Sequence, residues 1–201
     1  RLLEENRAAG GTIFFQETFN ETNFIGGNDG IWYFSGFPGI VYDGEEWTTN
    51  NATGACQCAK FGSRETKGYA TTPKFDLEGE ATLTFNAAAW NKENTTLWVT
   101  AEGADITDTQ FKLENEKWGT YTTTLSGSGK VQLTFTPWGA GKRFFLDEVM
   151  VYVPSTTGIS ELKTEKKANR RGIYTIDGRR VSESGTLPHG IYIVDGKKVV
   201  R

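Results

Sequence analysis

Residues 143–153, RFFLDEVMVYV, constrain this chain more than any other stretch. Successive residues of an extended strand point to opposite faces. Phe145, Val149 and Val151 would then share a face with Asp147, and Phe144, Leu146, Met150 and Tyr152 the other with Glu148. Both faces are apolar, which fits a strand covered on two sides. Asp147 is the misfit, because a buried carboxylate is costly unless paired, hydrogen-bonded or bound to a cation. A salt bridge or a loop-backbone hydrogen bond would explain it, and so would a hard cation held by oxygens. Glu17, set among apolar residues in TIFFQETF at 12–19, poses the same question.

The rest of residues 12–154 reads as short strands. Glycine is abundant (24 residues), aromatics reach 13%, and threonine is frequent in the middle of the chain, a mixture that favours an all-β fold. Strands are expected at 12–19, 55–61 and 75–77. In the next one Leu83, Phe85, Ala87 and Ala89 line one face, their small alanines suited to close packing. TTLWVTA at 95–101 puts Leu97, Val99 and Ala101 on one side and Trp98 on the other. Phe111–Leu113 is a short edge-like strand. Trp118–Leu125 and Val131–Thr136 are read as two strands around a turn SGSGK, and Glu78-Gly79 as another turn. Residues 43–55 read as a polar loop that strands Trp47. This spacing predicts a jelly-roll β-sandwich.

Four segments follow. Residues 1–11 are an N-terminal extension, 12–154 the jelly-roll domain, 155–169 a polar linker and 170–201 a small β module. That module is an internal repeat: GIYTIDGRRV at 172–181 returns as GIYIVDGKKV at 190–199. Each copy is strand, Asp-Gly, strand, so two hairpins turning at Asp177-Gly178 and Asp195-Gly196 are expected.

Several functions are disfavoured. Net charge is −3 and the basic residues form no block, so no nucleic-acid partner is indicated. No apolar run reaches transmembrane length. The start at Arg1 is expected of a mature fragment without its targeting segment. Cys56 and Cys58 are too close along a strand for an unstrained bridge and read as small buried side chains. Sequons stand at Asn20, Asn51 and Asn94. No G-x-S-x-G or H-E-x-x-H motif occurs. His189, the one histidine, sits in a Pro-His-Gly turn. Glu45-Glu46 and Asp147-Glu148 are adjacent pairs that would point apart, unlike the paired carboxyls of a glycosidase. A non-catalytic protein is expected.

Six tryptophans are then the natural binding candidates, since a flat ring can stack on the apolar face of a sugar. Trp32, Trp90 and Trp118 lie in or beside apolar runs and are assigned to the core. Trp98 points toward solvent, the other sheet or the C-terminal module. Trp47 and Trp138 lie in polar loops and are the ligand-binding candidates. Tyr42, Asp43 and Glu46 beside Trp47 would supply polar contacts.

ETF at 17–19, residues 59–90, KWGTYTTTL at 117–125 and RFFLDEVMVY at 143–152 resemble secreted Bacteroidetes β-sandwich domains of the cleaved-adhesin, MAM-like and galactose-binding-like jelly-roll type. That resemblance covers about residues 13–153. It implies a structural Ca2+ tying the first strand to the last, through Glu17 and Asp147 only; apart from the resemblance, the loop Asn28-Asp29 could add oxygens. The C-terminus is similar to sorting modules of Bacteroidetes surface proteins at Tyr174, Gly178, Arg179, Leu187, Pro188, Gly190, Ile191 and Tyr192. It implies export to the cell exterior. The partner would be a glycan or a cell-surface protein, bound by an adhesin-like module or by a structural domain of a surface assembly.

Overall fold

The computed structural model describes residues 11–154, and beyond them residues 173–175, 180–181, 191–194 and 197–200. The expected extension at 1–10, the linker, His189 and both Asp-Gly turns lie outside the described residues. The chain divides into two compact units, Arg1–Ser155 and Thr156–Arg201.

The first unit is all β. In chain order its strands are β1 (Thr12–Glu17), β2 (Thr48–Asn50), β3 (Ala52–Gly54), β4 (Ala59–Phe61), β5 (Tyr69–Thr71), β6 (Phe75–Ala89), β7 (Thr95–Ile106), β8 (Gln110–Leu113), β9 (Gly119–Pro137) and β10 (Phe144–Val153). They join in the order β2-β5-β9-β6-β10-β4-β3, with β1 on β10, and with β7 between β9 and β8. The sheet folds over on itself as a jelly-roll-like sandwich. Its inner faces meet in one core containing Phe61, Leu83, Phe85, Leu97, Val99, Leu133, Phe135, Phe144 and Leu146. Leu83, Phe85, Ala87 and Ala89 all belong to that core.

Two expected turns are continuous strand instead. β6 runs straight through Glu78-Gly79, and β9 through Ser126–Lys130. Gly79 lies directly opposite Gly127, and Leu77 opposite Gly129. Gly79 and Gly129 have φ of +81° and +107°, so each strand adopts the left-handed conformation at its own glycine while the ladder between them continues. Paired glycines mimic a turn signal because both depend on the same conformational freedom. Residues 43–55 also depart from the loop expectation: they hold β2 and β3.

The closing strand does not keep one alternation. Its register against β6 shifts between Asp147 and Met150, and Glu148 has φ +48°. This bulge adds a residue and exchanges the faces. Phe144 and Leu146 before it, and Val149 and Val151 after it, all enter the main core. Phe145 faces outward into a second small core with Ala55, Cys58, Ala88 and Trp90, covered by Trp32, Phe34 and Trp118. Cys56 and Cys58 are both free thiols, Cys58 buried, and burial drives its pKa up.

The second unit is a four-stranded sheet of order β12-β11-β13-β14. Its strands are β11 (Ile173–Thr175), β12 (Arg180–Val181), β13 (Ile191–Val194) and β14 (Lys197–Val200). β11 pairs with β12 and β13 with β14, and the two hairpins join through antiparallel β11–β13.

Candidate binding site

The outer face of the layer β2-β5-β9-β7-β8 carries the exposed aromatic side chains of the sheet. Val99, Leu97, Phe135, Leu133 and Ala70 point inward from these strands, so their neighbours along each strand point out. Asn50 pairs with Tyr69 across β2 and β5. Trp98 pairs with Thr136 of β9 on one side and with Gln110 of β8 on the other. Thr71 and Thr134, one position along, hydrogen-bond to each other at 2.9 Å. Tyr69 is two residues from Thr71 and lies on the same face. The Thr136 hydroxyl donates to the Gly68 carbonyl at 3.3 Å. A row Asn50, Tyr69, Thr136, Trp98, Gln110 therefore crosses five strands. At ~4.8 Å per strand it spans about 19 Å.

Trp138 extends this face. Its N–H donates to the Thr96 carbonyl at 3.0 Å, continuing the β9–β7 register past Pro137. Its side chain thus lies diagonally across from Trp98. Trp98 is 42% exposed and Trp138 58%. Diagonal neighbours on a sheet lie about 7–8 Å apart, a spacing that sets two rings side by side rather than in contact. The row that contains Trp98 bears amides, hydroxyls and rings and no charge. Trp138 thus lies where a ligand can reach it. Trp98 was legible from the alternation of LWV, which places it opposite two core residues. Tyr69, Asn50 and Gln110 carried no signal, because only the strand order brings them together.

Trp47 requires a correction. It is 3% exposed, in the main core, and presents no face to solvent. Its ring stacks on Tyr42 and Phe135 at 6.3 and 6.2 Å and tilts against Phe15 and Phe19 at 5.8 and 5.6 Å. Acidic neighbours in sequence misled the reading: Glu45 and Glu46 are exposed while the chain turns Trp47 inward to start β2. Tyr42 is half-buried against it, and burial raises its phenol to about 12. Asp43 is likewise engaged locally: its Oδ2 accepts from the Thr18 N–H at 2.7 Å and from the Thr18 hydroxyl at 2.6 Å. Glu46 stands exposed, near enough to Tyr42 to help raise its phenol, beside rings that are turned into the core.

The two awkward carboxylates are both buried. Glu17 Oε1 accepts from the Phe19 N–H at 2.9 Å and from the Asp43 N–H at 3.2 Å. The Trp47 indole also donates to it. Burial nevertheless raises Glu17 to about 7. Asp147 sits at the bulge, where Oδ1 accepts from the Glu148 N–H at 2.9 Å and Oδ2 from the Asn28 amide at 3.1 Å. Burial raises it, too, to about 7. Asp43 repels Glu17, Asp147 and Glu148, which places it between the first and last strands as the acid common to both.

The proposed metal set fits only in part. Asp29 closes its own loop, accepting from the Gly26 and Ile31 N–H groups at 2.9 Å each, and does not join Asp147. Asn28 offers Asp147 its amide nitrogen rather than its oxygen. Among the described residues no three His, Cys, Asp or Glu side chains converge as a metal site. Glu17 and Asp147 are buried, and the exposed Asp43 repels both.

A different surface lies on the loop between β1 and β2. Phe24, Ile25, Ile31, Tyr33, Phe37 and Val41 are all exposed there. A cavity of about 440 Å³ opens among Asn23, Phe24, Ile25, Phe34, Ser35 and Pro38.

Comparison with protein-family models finds no match. No curated protein matches either. Among solved structures, the chain is similar to the CBM22-1 xylan-binding domain from Paenibacillus barcinonensis, at 14% identity over 70% of this chain and 94% of that one, TM-score 0.47. It is also similar to the K3 cleaved adhesin domain of Lys-gingipain from Porphyromonas gingivalis, at 16% identity over 71% and 99%, TM-score 0.49. A family 35 carbohydrate-binding module from Clostridium thermocellum matches at 17% identity over 52% and 90%, TM-score 0.40.

Proposed function

We propose that residues 12–154 are a non-catalytic glycan-binding module whose ligand lies across the outer face of β2-β5-β9-β7-β8. One observation carries this reading: two exposed indoles stand side by side on this face, Trp98 within an uncharged row of amide, hydroxyl and ring side chains and Trp138 diagonal to it. Rings supply flat apolar contact, and Asn50, Thr136 and Gln110 supply donors and acceptors for sugar hydroxyls. The lack of charge along the row favours a neutral glycan. No carboxyl pair flanks the row, so the face offers a sugar contact without the acid and base that glycoside hydrolysis needs.

A structural Ca2+ at Glu17 and Asp147, beside the exposed Asp43 of the following loop, is part of the proposal, supported by the burial of those two carboxylates and by the repulsion of each by Asp43. The ion would neutralise carboxylates that link β1, the following loop and β10, and would take no part in ligand chemistry. Display outside the cell is proposed from the C-terminal repeat. No helix among the described residues is long and apolar enough to cross a membrane.

Affinity electrophoresis of the full chain in neutral and acidic polysaccharides, with Trp98→Ala and Trp138→Ala variants, tests the reading. Retardation by one neutral glycan class, lost in both variants while melting is unchanged, supports it. A second reading, contact with a cell-surface protein, is favoured by the exposed apolar loop at Phe24–Val41. Undiminished glycan retardation in both tryptophan variants, or none in the wild type, would turn the assignment to that loop.

A further inference from the structure

Lys60 of β4 is 8% exposed, in a strand whose neighbours are apolar. Its Nζ lies 4.8 Å from the Trp90 ring centre and 5.9 Å from that of Phe34. These rings are its partners; no carboxylate pairs with it among the described residues. The acid near enough to help, Glu93, is already taken. It accepts from the Arg143 backbone N–H and Nε, each at 2.8 Å, and from Arg143 Nη2. Arg143 itself stacks on the same indole, its Cζ 5.1 Å from the ring centre. Two cations thus share one ring with one carboxylate between them. The Trp90 Nε1–H is buried and has no acceptor. A buried indole donor usually finds one.

We propose that Lys60 is a site of reversible N-carboxylation by dissolved carbon dioxide. The Lys60 ammonium first gives one proton to water; the neutral Nζ lone pair then forms a bond to the carbon of CO2, one C=O π pair moves onto oxygen, and a second N–H proton passes to water or bicarbonate. The product is a carbamate, and the side chain changes from +1 to −1. The new oxygens supply the acceptor that Trp90 Nε1 lacks. They also turn the repulsion between Lys60 and Arg143 into attraction. Burial favours the reactive form: with desolvation the main cause and Arg143 adding to it, the ammonium is lowered to about 8. CO2 is small and uncharged, so it can enter where bulkier electrophiles are shut out. Phe34, whose ring centre lies 5.9 Å from Nζ, also lines the cavity beside Phe24 and Ile25.

The full chain equilibrated with 13C-bicarbonate is read by 13C NMR. In parallel, the carbamate is trapped as an ethyl ester with triethyloxonium and located by peptide mass spectrometry. The expected result is a trapped adduct on the Lys60 peptide and a carbamate resonance absent from Lys60→Arg. Trp90→Phe, which keeps an aromatic ring but removes the indole donor with its pyrrole ring, should lower occupancy about tenfold. Wild-type protein with no adduct on Lys60, or a resonance unchanged in Lys60→Arg, overturns the proposal. The wild-type mapping decides even if a variant fails to fold.

Discussion

The Trp47 indole donates to the Glu17 carboxylate, and the pair joins the first strand to the start of the second inside the core. Each explains the other's burial. An indole needs an acceptor when it leaves water, and a carboxylate needs donors.

Replacing Trp47 should therefore unfold rather than unbind. Trp47→Ala removes four ring contacts and a donor to a buried acid, with an expected loss of about 3–5 kcal/mol. Trp47→Phe should cost less, chiefly through the lost hydrogen bond. Urea denaturation measures both. Glycan retardation of whatever folded Trp47→Phe remains should equal wild type, and a selective loss of binding would show that the ring reaches the ligand after all.

Trp98→Ala and Trp138→Ala should behave in the opposite way. Both rings are substantially exposed, so melting should shift little. Loss of a central aromatic contact of about 2 kcal/mol weakens binding roughly thirtyfold. Gln110→Ala, at the edge, should have a smaller effect. Isothermal titration with the retarding glycan gives the three values.

The buried acids set an unusual pH dependence. Glu17 rises from 4.5 and Asp147 from 3.8, each to about 7. A carboxyl with a raised folded pKa binds its proton more tightly in the native state. The resulting stability is fully present below the unfolded value and is lost as pH climbs through the folded one. In EDTA, stability should thus fall between pH 4 and pH 7, by on the order of 3–4 kcal/mol per group. Lys60 works the other way above about 8, where its neutral form is native and stability recovers toward its ordinary 10.5. Melting scans from pH 4 to 10 should show a minimum between the two ranges. Glu17→Gln should flatten the acidic limb, and an unaltered limb in that variant would remove Glu17 as its source.

Calcium, if held by those acids, should abolish that limb, since a bound cation favours the ionised carboxyls. Saturating Ca2+ at a hundred times its Kd raises stability by about 2.7 kcal/mol. EDTA that leaves melting unchanged, together with no metal in the purified protein, would remove the ion from the proposal.

Backbone geometry supplies a control. Gly103 has φ +85°, and a β-carbon there would collide with the Lys130 carbonyl oxygen of the neighbouring strand. Gly103→Ala should cost well over 1 kcal/mol. Gly44→Ala meets nothing within 4 Å and should be close to neutral. Their melting temperatures, measured side by side, check the bend in β7.

Which parts were legible follows from how far each signal reaches. Period-2 alternation is local, so the all-β class, the core faces of β6 and β7 and the outward turn of Trp98 were readable from the chain alone. The C-terminal repeat was readable too, for its two copies carry the same strand pattern. Partnering across the sheet is not local. Gly79 and Gly127 look like turn residues until they are found opposite each other in the middle of two long paired strands. The bulge at Asp147-Glu148 reverses the faces of the closing strand with no residue that announces it. Tertiary structure alone decided that Trp47 lies inside while Trp138 lies outside, though both stand in polar loops. A ring's exposure depends on which distant strands close over it, and for Trp47 those are β1 and β9, brought there by the strand order.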